Sequence, residues 1–313
     1  MKLAPIAFFA YCRPEHTLRS LRSLKANTLA SESSLYIFVD GPRIDAGTKT
    51  LEGIEEVKKI IRSESWCKHV HFIEQDTNKG LYRSITEGVA AILAEHERII
   101  VLEDDLESSP HFLQFMNDSL DLHANHEDVV CVSGYSFPLK GKLPSTYLIR
   151  NAECWGWGTW RRGWDLFNPD GQFLLKSLAS RGAEKDFDFD NSYPYMEMLK
   201  QRISGKNASW CILWYASAFL HNKLCLYPGK SLIHNFGFDK SGVHSGVSVA
   251  FDVKLTLEPV SVKLLELTEN KEIRSRISRF FKEVESGSIF KYYVKKYSPD
   301  FLLKAYRRAK NIH

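Results

Sequence analysis

At 313 residues, with 44% apolar and 26% charged content, the chain is long enough to bury a sizeable core and too ordinary in composition to be fibrous, low-complexity or disordered. A net charge of +4 is small for this length, so no general affinity for nucleic acid follows from it. The six cysteines show neither C-x-x-C nor zinc spacing, which predicts reduced thiols in a cytosolic protein and no structural zinc.

The first twelve residues are apolar but far too short to span a bilayer, and Arg13-Pro14-Glu15 ends them without a cleavage site, so they read as a first strand. From there, short apolar runs alternate with longer amphipathic stretches, the pattern of a parallel α/β sheet. The runs predict strands at 6–11, 35–40, 69–74, 98–102 and 129–134, and helices at 14–24, 48–63, 81–95 and 110–123. Ser109 and Pro110 read as the cap and first residue of the last of these helices. Each of the first four strands ends in polar residues: Arg13, then Asp40-Gly-Pro-Arg43, then Asp76 to Gly80, then Glu103-Asp104-Asp105. In a parallel sheet these ends share one edge, which makes a nucleotide-sized crevice.

The rhythm is lost in the second half. It holds a tryptophan cluster, 154–164, an acidic stretch at 186–190, an apolar helix over 210–220, a short strand at 224–227 and a Gly/Ser/His stretch up to Gly246. The last part, 287–313, mixes lysines and arginines with tyrosines and phenylalanines. That mixture suits either a helix resting on an anionic membrane surface or one packing its aromatics on the domain.

The acid triplet carries most of the chemistry. Three adjacent carboxylates at a strand end repel one another and lose hydration unless a cation lies among them. Hard oxygen ligands suit Mn²⁺ or Mg²⁺, ions that usually travel with a phosphate. No glycine-rich phosphate loop follows the first strand, which disfavours dinucleotide oxidoreductases, P-loop enzymes and sugar-nucleotide pyrophosphorylases. Phosphate charge then falls to a metal and to side chains such as Arg13.

Asp40 can accept hydrogen bonds from a base or ribose, or cap a turn, and Asn78 admits the same two readings. Trp155, Trp157, Trp160 and Trp164 can stack on sugar rings or fill a core. An inverting transfer also needs a carboxylate opposite the leaving phosphate. Glu153, Asp186, Asp188, Asp190 and Glu197 are the candidates.

Arg13 after the first strand, Val39-Asp40 after the second, Leu81-Tyr82-Arg83 opening the third helix and Ile100-Val-Leu-Glu-Asp-Asp-Leu-Glu-Ser-Ser-Pro-His-Phe112 together resemble the N-acetylglucosaminyltransferase I family of GT-A glycosyltransferases. Val130-Cys-Val-Ser133, Gly156-Trp157, Cys225-Leu-Tyr-Pro228, Phe236-Gly and Gly242-Val-His-Ser-Gly246 keep the family's order, over residues 4–250 in patches.

The resemblance implies a metal-dependent transferase using a UDP-sugar. Asp105 is expected to bind the metal, Glu103 and Asp104 to face sugar and ribose, Arg13 the diphosphate and Asp40 the uracil. Asn78, Arg83 and Trp157 join the expected donor site, and His244, in a loop that orders over the donor, is expected at the phosphates or metal. The family carries its base in a Trp-Asp-Asp-Trp segment, whereas this chain has Trp210-Cys-Ile-Leu-Trp214; Glu153 and Asp190 are the bases expected instead.

The expected fold is therefore α/β of the GT-A kind, a mostly parallel Rossmann-like sheet with helices on both faces. Residues 1–260 form the catalytic domain, divided at 135/136 into nucleotide-sugar and acceptor halves, and 261–313 form a basic, aromatic helical extension. The expected activity is hexosyl or N-acetylhexosaminyl transfer to a glycan or lipid-linked saccharide, in bacterial surface polysaccharide or lipopolysaccharide synthesis. The expected location is cytoplasmic, peripheral at the inner face of the plasma membrane. A glycoside hydrolase and a non-catalytic carbohydrate-binding protein are the competing readings.

Overall fold

The computed structural model describes residues 3–237 and 250–286. In chain order the strands are β1 (Ile6–Ala10), β2 (Ser34–Val39), β3 (His69–Glu74), β4 (Arg98–Glu103), β5 (Leu106–Ser108), β6 (Val129–Ser133), β7 (Thr146–Ile149), β8 (Trp157–Trp160), β9 (Leu224–Pro228) and β10 (Ile233–Asn235). The helices are α1 (Pro14–Lys25), α2 (Thr48–Ser63), α3 (Gly80–Glu95), α4 (Phe112–Leu122), α5 (Arg161–Trp164), α6 (Gly171–Ser180), α7 (Glu184–Phe187), α8 (Tyr195–Ile203), α9 (Cys211–Leu220) and α10 (Lys271–Glu285). Every element expected before residue 135 forms, with ends displaced by a residue or two.

Eight strands build one sheet in the order β3-β2-β1-β4-β8-β6-β9-β7. All run in one direction except β8 and β7. The α/β class with a mostly parallel sheet is thus as expected. Strands β1, β6, β7, β8 and β9 are buried along their whole length, because helices or loops cover both faces. Edge strand β3 is largely exposed. Gly88 of α3 sits over Phe9 and Phe38, where a Cβ would come within 2.8 Å of the Phe9 ring; the missing side chain lets the helix lie close on the sheet.

The reversed strand β8 matters most for the site. Trp157 pairs with Val101 of β4 and Arg98 with Trp160, so the residues preceding β8 emerge at the carboxyl edge of β4, beside the acid triplet. Leu106–Ser108, expected as loop, pairs antiparallel with β10 as a small second sheet. Ser109 does not cap α4, which starts at Phe112; its hydroxyl donates to the Thr256 carbonyl at 2.6 Å and ties the chain after residue 250 to the strand edge. Of the expected C-terminal extension, α10 is helical and 287–313 lies outside the described residues. No helix among the described residues is long and apolar enough to cross a membrane.

Candidate functional site

Strand register assembles the site. Phe9 pairs with Glu103, so the chain leaving β1 passes directly beside the end of β4, and Arg13 turns its guanidinium onto the acids. Arg13 Nη2 donates to Asp104 and, at 2.9 Å, to Asp105. Arg13 Nη1 is buried with no protein partner. Ser20 of α1 fixes the backbone between the acids by donating to the Asp104 carbonyl at 2.8 Å. Phe236 N donates to the Asp105 carbonyl at 3.0 Å, and Gly237 lies so close that a Cβ there would meet Asp105 Oδ2 at 2.4 Å. Nothing local in the sequence marks Ser20, a helix serine, as a neighbour of distant acids, whereas Gly237 opens the stretch expected to order over the donor.

The electrostatics are those of crowded acids in a poorly hydrated place. Burial raises Glu103 well above the carboxylate range, and the charges of Asp105 and Asp104 raise it further against the pull of Arg13. Burial also raises Asp104, although Arg13 opposes it. Arg13 itself loses hydration, but its two acid partners outweigh that loss and hold its proton more firmly than usual. Three carboxylates facing one guanidinium leave an excess of negative charge, which a cation would relieve.

Among the described residues, no three acid, His or Cys side chains converge as a closed metal cage. A hard divalent ion that travels with a nucleotide needs only one or two carboxylates, the phosphates and water completing its shell. Asp105 and Glu103 fit that donor set, and the orphaned Arg13 Nη1 fits a phosphate oxygen.

These shifts predict a measurable pH effect. A carboxyl raised in the fold binds protons that the unfolded chain has already released, so its cost to stability is absent below the unfolded value and grows as pH rises through the raised one. Glu103→Gln should therefore match wild-type thermal stability near pH 4 in EDTA and exceed it increasingly towards pH 8. A pH-independent difference in Tm would show that Glu103 is not desolvated as described.

Asp40 accepts four hydrogen bonds: from Gly41 N at 2.9 Å, Lys79 N at 2.8 Å, Gly80 N at 2.8 Å and Asn78 Nδ2 at 2.9 Å. It serves as the cap that anchors the start of α3 to the end of β2, the second of its two sequence readings. Any base contact would come in addition to these bonds. Asn78 bridges Asp40 and the Gly41 carbonyl. Arg83 is exposed on α3 and pairs with Glu87 at 2.9 Å. His244 lies outside the described residues.

Of the four tryptophans, Trp157, Trp160 and Trp164 are buried, while Trp155 is half-buried and edge-on to Tyr135 and Phe251. Trp157 is fully buried, with ring centroids 5.3–6.1 Å from Trp164, Trp210 and Trp214, and Trp160 is buried beside it. The Trp210–Trp214 segment, where the resemblance implied a base, opens the buried helix α9 and packs on Trp157, which accounts for its lack of acids. Trp157, expected in the donor site, thus packs inward against other indoles.

The base candidates separate clearly. Asp186 pairs with Arg274 at 2.6 Å and Arg150 at 2.9 Å, and Asp190 faces Arg274 at 3.7 Å, so both belong to an ion cluster that docks α10. Asp188 accepts from Met196 N at the start of α8, and Glu197 from Gln201 on the same helix. Asp190, one of the two expected bases, is thus half-exposed beside Arg274. Glu153 alone lies in the segment leading into β8, three residues before Gly156, which packs against Ile233 of the β10–β5 pair under the triplet. It is 8% exposed, and burial raises its pKa despite hydrogen bonds from the Cys154 and Trp155 amides and from Tyr227. The charges of both Glu153 and Glu103 are felt at Cys154 and Cys211.

Solved structures overlap this chain in part. A mannosyltransferase from Pyrobaculum calidifontis in complex with GDP-Man and Mn²⁺ aligns over 70% of this chain and 69% of its own, at 9% identity and a TM-score of 0.37. S. aureus TarS aligns over 74% of this chain and 36% of its own, at 14% identity and a TM-score of 0.38. A UDP-glucose pyrophosphorylase complexed with UDP-glucose aligns over 72% and 90%, at 14% identity and a TM-score of 0.37. No family model matches the chain. The roles given to residues here rest on this chain's own geometry.

Proposed function

We propose that the chain is a metal-dependent glycosyltransferase that moves a hexosyl or N-acetylhexosaminyl group from a UDP-sugar to a saccharide acceptor, with inversion. The observation that carries this reading is the union, at one sheet edge, of three carboxylates with an arginine whose Nη1 is buried and unpartnered. Arg13 would bind the diphosphate through that free donor while Asp104 holds its guanidinium in place. Asp105, with Glu103, would hold Mn²⁺ or Mg²⁺. Bound there, the ion lowers the cost of negative charge building on the departing nucleotide. Glu153, a buried carboxyl entering the same edge from the β8 side, would take the proton of the acceptor hydroxyl. A glycan or lipid-linked saccharide in surface polysaccharide synthesis is the acceptor class that fits the resemblance.

Incubation with a panel of UDP-sugars and Mn²⁺ tests the reading through UDP release. Hydrolysis of a saccharide without any nucleotide would identify a glycosidase, and saccharide binding without turnover a non-catalytic lectin-like protein. A second readout is independent of turnover. Mn²⁺ with UDP at about a hundred times Kd should stabilise the fold by about 2.7 kcal/mol, seen as a rise in Tm that EDTA reverses. Absence of any shift with both ligands would count against the site.

A further inference from the structure

Glu153 is held by a run of buried polar groups that extends away from the acid triplet. Tyr227 of β9 is fully buried, its ring stacked on Tyr147 at a centroid distance of 5.5 Å and 4° between planes, and tilted against Phe137 at 5.8 Å. Packing thus fixes where its hydroxyl lies. Asn151 Nδ2 donates to that hydroxyl at 2.7 Å, which leaves the phenolic hydrogen to be donated onward to Glu153 Oε2 at 3.3 Å. Cys154 N donates to Glu153 Oε1 at 2.9 Å.

Together with the Trp155 amide, these donors on both oxygens set the plane of the carboxyl group. Asn151, Glu153 and Tyr227 are each less than a tenth exposed. Apolar residues of similar volume would fill such a place at lower cost in desolvation.

The geometry points to Tyr227 and Asn151 as positioning residues that hold the Glu153 carboxylate in one orientation towards the acceptor hydroxyl. This rests on Glu153 being the base. In the step it serves, the acceptor O–H proton passes to Glu153 as that oxygen bonds the anomeric carbon. The bond from that carbon to the nucleotide phosphate breaks, and its electron pair leaves with the phosphate.

The charge of Glu153 is felt at Tyr135, at Tyr147 of β7, Tyr195 of α8, Cys154 with Cys211 of α9, and Cys225 with Tyr227 of β9, and Glu103 is felt beside it at Cys154 and Cys211. All of these phenols and thiols are held above their ordinary pKa.

The test follows UDP release from UDP-glucose or UDP-N-acetylglucosamine with Mn²⁺ across pH. Tyr227→Phe keeps the stacked ring and removes the donor to the charged carboxylate. We expect kcat to fall about tenfold, the donor KM to stay within about twofold, and the acid limb of the kcat profile to move to higher pH. Asn151→Ala should move the limb the same way by less, and it serves if Tyr227→Phe does not fold. Infrared titration of the carboxyl band that disappears in Glu153→Gln should show the same upward movement in Tyr227→Phe without any turnover.

An unmoved limb and an unmoved band, with kcat falling only as far as stability falls, would make Tyr227 a packing residue and overturn the inference. Full turnover by Glu153→Gln would instead remove the base reading, and the inference with it. An inactive Glu153→Gln beside an unmoved Tyr227→Phe profile would overturn the relay alone.

Discussion

Asp105→Asn should reduce kcat/KM for the UDP-sugar by about a thousandfold while leaving the fold intact or slightly more stable. The asparagine keeps the size of the side chain that packs against Gly237, where space is too tight for a Cβ, and its amide oxygen can still accept from Arg13. What changes is charge. One of three crowded carboxylates is removed, which relieves the repulsion felt by Glu103 and Asp104. A group kept for stability would lower Tm when replaced; a group kept for ligand binding in spite of its cost should not. The two outcomes are read on one sample: Tm in EDTA, equal or higher in the variant, and the rise in Tm on adding Mn²⁺ with UDP, lost in the variant. Retention of both turnover and the ligand-induced shift would sink the assignment of Asp105.

Much of this edge could be read from the chain because the first half is local in its logic. Buried strands such as 6–10 and 98–103 are continuous apolar runs, the intervening helices are amphipathic, and the polar residue after each run marks the strand end that faces ligand. Arg13 and the triplet were legible for that reason, and register brings them together without further help.

The helix at 210–220 and the strand at 224–227 were legible in the second half as well, but other strands were not, because they are short and their partners distant. Leu106–Ser108 and Ile233–Asn235 have three residues each, too few for a period, and each exists only because the other lies alongside. Thr146–Ile149 and Trp157–Trp160 have four. The roles of acids were decided in the same way. Asp40 looked like an isolated strand-end carboxylate until α3 docked and supplied the amides of Lys79 and Gly80. Asp190 looked as good a base as Glu153 until Arg274, far along the chain, came to lie beside it.

Trp157→Ala should destabilise the protein by about 3–5 kcal/mol, a fall in Tm of about 5–8 °C for a chain of this length, and leave kcat/KM of the folded fraction nearly unchanged. The indole is fully buried in the strand next to β4 and touches three other indoles, Trp164, Trp210 and Trp214, that come from α5, the N-terminal flank of α9 and α9 itself. Its removal leaves a cavity where four rings meet, and neighbours of that size in a sheet-and-helix sandwich cannot collapse fully to fill it. A tryptophan that stacks on substrate behaves the other way: truncation spares Tm and raises KM, because the lost area is gained only on binding. Trp157→Phe separates the two further, since a smaller ring restores part of the core but would also restore part of a stacking surface. Partial recovery of Tm with KM constant throughout the series places the residue in the core. A KM that follows ring size while Tm stays level would return Trp157 to the sugar.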